Sequence, residues 1–380
     1  MNYSIIVSCP RGLEAKLQEE IFAITCQNAT AKKGHVSLKG NWKDIYLINL
    51  HSRLASRVLI KITQGHITSE NDLYELATQI NWPDYFSHDK TFRVRTEGNA
   101  NWCRRFDILA LKVKDAICDV FIKQYNIRPN VDKSNPDIRV SAYVNQNTAV
   151  IYLDTSGEAL FKRGWRQKTD CAPIRENLAA GLLKLANYNG KQAFIDPMCG
   201  SGTIAIEAAM IASSTPPGLN RVFAFQNLNN FDSQLWKNLR AQAKSNIHPP
   251  TFQIYASDNQ PNTIKKAVNN AIHANLIDYI QFDCIPFKQI RIRDKQGLLL
   301  TNPPYGQRLS ELEKIQVQYA EWSKILKLNL DTWTTGFITP DFEFPKKLRL
   351  SPKQKIPVYN GQIECRLYLF DIVAGSNRKK

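Results

Sequence analysis

The chain has 380 residues and a mass of 43.4 kDa, with 43% hydrophobic and 22% charged residues; that is enough for two or three domains with cores of their own and excludes a peptide or a disulfide-stapled miniprotein. No apolar run approaches the roughly 18 residues of a membrane span, and Met1 to Cys9 reads as a short strand, not a signal segment, so a soluble cytoplasmic protein is expected. Lys and Arg outnumber Asp and Glu by 50 to 34, for a net charge of +16, which favours a polyanionic partner, nucleic acid first.

Ser4 to Ser8 is an apolar, β-branched run, Arg11 to Phe22 sets Leu13, Leu17 and Ile21 at helical spacing, and His35 to Leu38 alternates again. With a helix over Trp42 to Leu50 and a strand over Arg57 to Ile62, residues 1–65 read as a small split βαβ module. The pattern restarts in residues 66–155 as a second α+β module. It holds a helix over Asp72 to Ile80, a strand over Thr91 to Thr96, a long amphipathic helix over Arg104 to Tyr125, and two strands within Asp137 to Leu153 that turn around Asn145 to Asn147.

Residues 156–190 lead, as linker and helix, into a third region, 191–380, where short apolar strands alternate with helices. The strands fall at Ala193 to Asp196, Phe252 to Asp258, Tyr279 to Phe282, Gly297 to Thr301 and Thr335 to Thr339. That rhythm predicts an α/β fold with a doubly wound, Rossmann-like parallel sheet. Pro216 to Gln253 reads as an insertion with a helix over Ser233 to Ser245. Ile363 to Ile372, after a Tyr359-Asn360-Gly361 turn, reads as an antiparallel strand closing the sheet edge.

The basic excess lies in the second half: residues 1–160 hold 20 Lys and Arg against 17 acids, residues 161–380 hold 30 against 17. It gathers around Lys162, Arg163, Arg166 and Lys168, around Lys288, Arg291 and Arg293, and from Lys346 to Lys355. Each cluster is either a solvated face or a phosphate contact. The eight cysteines are scattered with no Cys-x-x-Cys pair, which suits reduced thiols. The six histidines and the acids show no ligand spacing, so no metal is expected.

Phe194-Ile195-Asp196-Pro197-Met198-Cys199-Gly200-Ser201-Gly202-Thr203 runs from a strand through a glycine turn into a helix. Glycines let the backbone approach a ligand, and a helix N-terminus favours an anionic group, so a nucleotide-type cofactor is expected there. The spacing is neither a Walker loop nor GxGxxG, which disfavours ATP and NAD. The second strand ends in Ser257-Asp258, where an acid either holds a cofactor ribose or caps the helix starting at Pro261. Asp283, after the third strand, either reaches an adenine amine or is an exposed strand-end carboxylate.

After the fourth strand comes Asn302-Pro303-Pro304-Tyr305-Gly306. Two consecutive prolines keep Asn302 extended, remove two N–H donors and turn carbonyls outward. The Asn302 side-chain oxygen and the Pro303 carbonyl then suit the two hydrogens of a planar amine, with Tyr305 stacked on its ring.

These two segments together resemble the S-adenosylmethionine-dependent methyltransferases of exocyclic amines. With Arg163-Gly-Trp-Arg166 and Ala172-Pro-Ile-Arg-Glu-Asn-Leu-Ala-Ala180, the chain resembles the THUMP-domain RNA guanine-N2 methyltransferases, especially the bacterial enzymes of large-subunit (23S) rRNA. The resemblance spans essentially the whole chain and implies a ferredoxin-like module followed by a THUMP module in the two α+β units. It implies that Gly200, Ser201, Gly202 and Thr203 shape the cofactor pocket with Asp196 supporting the turn, that Asp258 holds the ribose, and that Pro173 lies by the methionine end. The chain departs from the family at Ile285-Pro286, where an acid is common. It also ends too soon for the second methyltransferase to which some members are fused.

The reaction expected is direct in-line methyl transfer to guanine N2 of an unpaired or flipped base in 23S rRNA or a pre-ribosomal particle. Arg163, Trp165 and Arg166 are expected to hold flanking RNA, with interdomain packing the competing role for Trp165. Cys199, inside the cofactor turn, reads as a packed side chain and not a nucleophile. The rival readings are a tRNA guanine-N2 methyltransferase, a DNA adenine-N6 methyltransferase, which the RNA-type N-terminal half disfavours, and a non-catalytic RNA-binding or assembly factor.

Overall fold

The computed structural model describes residues 2–166, 174–304, 319 and 321–373. These form two compact units. The first gathers Met1–Cys9, Gln18–Leu160 and Asn220–Ala241. Its strands β1 (Tyr3–Ser8), β2 (Ala29–Lys32), β3 (His35–Gly40), β4 (Arg57–His66), β5 (Phe92–Asn99), β6 (Ile138–Asn145) and β7 (Thr148–Asp154) join in one sheet of order β2-β3-β1-β4-β7-β6-β5. The two α+β patterns of the sequence thus share a continuous sheet, joined where β4 runs antiparallel to β7 from Leu59 opposite Asp154 to His66 opposite Thr148. β5 and β6 pair in parallel. The short edge strand β2 escapes sequence reading because it is half exposed and pairs only with β3.

Helices α2 (Trp42–His51), α3 (Glu70–Thr78) and α4 (Phe106–Tyr125) belong to this unit, and α1 (Glu14–Thr25) is divided, with residues 14–17 in the second unit. Both α2 and α3 begin with a capping box, Asn41 with Asp44 and Ser69 with Asp72, which satisfies N–H groups that a helix start leaves open. The 220–241 segment belongs here through aromatic packing. The buried Tyr46 ring of α2 lies 4.6 Å from Phe225 and 5.9 Å from Trp236, and its hydroxyl accepts from the Asp232 N–H at 2.9 Å.

The second unit comprises Pro10–Leu17, Phe161–Leu219 and Gln242–Lys380. Its helices include α5 (Glu176–Leu185), α6 (Thr203–Ala212) and α8 (Pro261–His273), and α7 (Ser233–Ser245) is divided between the two units. Strands β8 (Ala193–Asp196), β9 (Ile254–Ser257), β10 (Gln281–Asp283), β11 (Gly297–Thr301) and β12 (Thr334–Thr339) are parallel; β13 (Gln354–Asn360) and β14 (Ile363–Asp371) are antiparallel. The order is β10-β9-β8-β11-β12-β14-β13. The expected parallel strands are therefore present, but β14 does not close the edge as the sequence suggested: it lies between β12 and β13. Pro357 and Lys355 mask β13 from pattern reading, and a proline and a lysine suit an exposed edge because they discourage further pairing.

Leu299, Phe337, Tyr368 and Phe370 from the sheet pack with Trp322, Trp333 and Phe344 in the buried core. The chain passes from β8 to β9 on one side and later returns to β11 on the other, so the carboxyl ends of β8 and β11 flank a topological switch point, where open α/β sheets bind ligands. Among the described residues no helix is long and apolar enough to cross a membrane, and no cluster of His, Cys, Asp and Glu suits a metal ion.

Candidate active site

The turn after β8 is built around two glycines in left-handed conformations, Gly200 at φ +53° and Gly202 at φ +83°. A Cβ on Gly200 would meet nothing within 4 Å, so this backbone borders open space. A Cβ on Gly202 would lie 3.1 Å from the Ala267 methyl, so this glycine admits close packing on α8. The turn is pinned from several sides. Its Gly200 N–H donates to Asp258 Oδ2 at 3.2 Å, the Cys199 N–H to the Ser257 carbonyl at 2.9 Å, and Asn270 Nδ2 of α8 to the Ser201 carbonyl at 2.9 Å. Asp258 also accepts from the Gln260 N–H at 3.0 Å, so it serves both the turn and the entry to α8.

Asp196, 1% exposed at the end of β8, accepts from the Thr301 hydroxyl at 2.6 Å. Burial pushes its carboxyl up to about 7, and the bonds from Thr301 and Met198 offset only part of that. Thr301 ends β11, and Asn302 follows it directly. The Asn302 Oδ1 is buried and has no hydrogen-bond partner among the described residues. Leaving a buried acceptor unmade is costly, so this atom is poised for an incoming N–H. Pro303 is buried and Pro304 exposed. Tyr305 and Pro173 lie outside the described residues.

The strand ends thus bring together Asp196, Gly200, Ser201, Gly202, Thr203, Asp258 and Asn302 around one switch point. Asp283 ends β10; its carbonyl accepts from the Asp258 N–H at 3.3 Å, and its half-buried carboxylate accepts from Gln281 Nε2 at 3.0 Å. The Cys199 thiol is buried, which pushes its pKa up and keeps it from being a thiolate nucleophile.

Residues 163–368 match the family described as RMKL-like, methyltransferase domain. The chain belongs to the RMKL-like methyltransferase family. Ahead of that domain, residues 68–154 match the THUMP domain and residues 4–59 the RlmL ferredoxin-like domain. A ribosomal RNA large subunit methyltransferase K/L from Desulfotalea psychrophila is 36% identical over 96% of this chain and 52% of its own length. The chain thus spans about half the length of the curated relatives it matches. Among solved structures, SMU.472, solved as "a putative methyltransferase complexed with SAH", superposes with a TM-score of 0.91 at 27% identity over 99% of both chains. A Clostridium difficile 630 protein solved as a "possible methylase" does so at 0.89 and 30% identity over 100% of both.

Within this RMKL-like methyltransferase domain, the three residues expected to hold RNA point inward. Arg163 is 5% exposed; its Nε donates to Glu207 Oε1 at 3.1 Å, and Glu207, on α6, is itself fully buried. Trp165 is 3% exposed. Arg166 donates to Glu176 at 2.8 Å, to the Ser201 hydroxyl at 3.1 Å and to the Thr203 hydroxyl at 2.8 Å. The RNA assignment of Arg163 and Trp165 is therefore corrected, since a guanidinium paired with a buried carboxylate and an indole inside the core present no surface to a polyanion, while the part-buried Arg166 is engaged by Glu176, Ser201 and Thr203. One sequence signal marked this in advance, since Glu207 in the apolar run of α6 is a charge that burial obliges to find a partner. Thr301 carried a similar signal, as a polar end to an apolar strand, whereas nothing local distinguishes Asn270.

Proposed function

We propose that this chain transfers a methyl group from S-adenosylmethionine to the exocyclic N2 of guanine in large-subunit rRNA. The observation that carries the reading is the buried, unpartnered Asn302 Oδ1 at the switch point, one residue beyond the Thr301 that is bonded to the cofactor-side Asp196. The residues present fit the cofactor: the space beside Gly200 admits a ligand against bare backbone, and Asp258 sets a carboxylate at the end of β9 where ribose hydroxyls bind in such sheets. When bound, the cofactor supplies an electrophilic methyl group.

The protein's own part is positioning and electrostatics. Gly200 to Thr203 and Asp258 hold the cofactor, and Asn302 Oδ1 with the Pro303 carbonyl accepts the two amine hydrogens. Those bonds keep the nitrogen lone pair aimed at the methyl and strengthen as positive charge develops on the nitrogen. Tyr305 is assigned to stacking by its place after Pro304. Large-subunit rRNA is supported by the name of the half-matched relatives and by the THUMP match.

The test is transfer of labelled methyl to separated rRNA, tRNA and DNA from cells lacking the protein, with nucleoside analysis. Label as N2-methylguanosine in large-subunit rRNA is expected. The same nucleoside in tRNA changes the substrate, and N6-methyladenine in DNA overturns the reading.

A further inference from the structure

The guanidinium of Arg166 is the centre of a buried polar knot. Its side chain is 12% exposed, and its Nε is neutralised by Glu176, whose carboxylate is 5% exposed. Its two terminal nitrogens then reach the Ser201 and Thr203 hydroxyls on the cofactor turn, and one of them lies 3.5 Å from the Ile174 carbonyl. The Trp165 ring packs 5.0 Å from the guanidinium and closes one side.

Arginine can only donate, so both hydroxyl oxygens act as acceptors toward it and both hydroxyl protons must turn elsewhere. At most one is used in the 3.4 Å contact between Ser201 and Thr203. At least one hydroxyl donor is therefore left for an acceptor outside the knot, beside the N-terminus of α6, where backbone dipoles also favour negative charge.

We propose that Arg166 is a positioning residue that turns a hydroxyl proton of the Ser201–Thr203 pair toward the carboxylate at the amino-acid end of the cofactor. This rests on the methyltransferase reading and sharpens it, since it assigns Arg166 to one end of one ligand. Arg166→Lys keeps the charge but loses the planar fork that spans two hydroxyls, so the geometry, not the charge, is the working feature.

The test compares the affinity of S-adenosylhomocysteine with that of 5′-methylthioadenosine, which lacks the amino-acid end, for the full chain and for Arg166→Gln, Arg166→Lys and Thr203→Val. Affinity for large-subunit rRNA is measured alongside. The expected result is that the wild type prefers S-adenosylhomocysteine, that each variant loses about tenfold or more of that preference, and that affinities for methylthioadenosine and for RNA stay unchanged. An equal loss for both nucleosides means Arg166 merely supports the fold and overturns the proposal. So does a loss of RNA affinity with the preference intact. Wild-type protein that binds neither nucleoside overturns the methyltransferase reading itself, an outcome distinct from binding with unaltered discrimination in the variants.

Discussion

The Thr301 hydroxyl donates a 2.6 Å hydrogen bond to Asp196 Oδ1, tying the last residue of β11 to the last residue of β8 across the switch point. One residue beyond each end of this bond the chain enters a different duty. Past Asp196 lies the glycine turn proposed to hold the cofactor, and past Thr301 lies the buried Asn302 Oδ1. Strand pairing brings these two ends together, with Leu299 opposite Ile195, and the side-chain bond fixes their spacing beyond the last backbone register.

Burial raises the Asp196 carboxyl to about 7, so between about pH 4 and pH 7 the folded chain binds more protons at this site than the unfolded chain. Stability from this group therefore falls as pH rises through that window and levels off above it. Asp196→Asn keeps an acceptor for Thr301 and removes the titration. Thermal midpoints from pH 5 to pH 8 should fall more steeply in the wild type than in the variant, and parallel profiles would contradict the assignment.

Asn302→Ala removes the buried acceptor without touching the glycine turn. Turnover is expected to drop by roughly 10²-fold, the scale of losing one preorganised hydrogen-bonding group, while S-adenosylhomocysteine binding by calorimetry stays nearly unchanged. A parallel loss of cofactor affinity would show that the residue holds the cofactor instead.

Asp258 presents one oxygen to the Gly200 N–H and the other to the Gln260 N–H. Asp258→Ala should weaken cofactor binding by about tenfold with a smaller effect on turnover at saturation, since a charged hydrogen bond contributes about 1.5–3 kcal/mol. Calorimetric titration set against saturated methyl transfer separates the two effects.

Glu207→Gln leaves the Arg163 guanidinium buried without its counter-charge. A loss of about 3–5 kcal/mol in unfolding free energy is expected from chemical denaturation, with RNA affinity of the folded protein unchanged. A large loss of RNA affinity at preserved stability would restore the surface role that the sequence suggested for Arg163.

The extent to which this protein can be read from its sequence follows the range of the interactions concerned. Helix Ser233 to Ser245 and strands Ala193 to Asp196 and Gly297 to Thr301 are legible residue by residue, because hydrophobic periodicity and turn chemistry act over a few positions. The same holds for the glycine turn and Asn302-Pro303-Pro304, whose backbone demands are local. Tertiary structure alone decides which way a side chain faces when its partner lies far along the chain. Arg163 and Arg166 look like an RNA-facing basic cluster until Glu207, Ser201 and Thr203 come within reach. The aromatic residues of 220–241 look like an insertion of the second unit until they surround Tyr46 of the first. Charge and apolarity are properties of the sequence; whether they are spent on solvent, on a ligand or on another part of the chain is settled by long-range packing that no local pattern encodes.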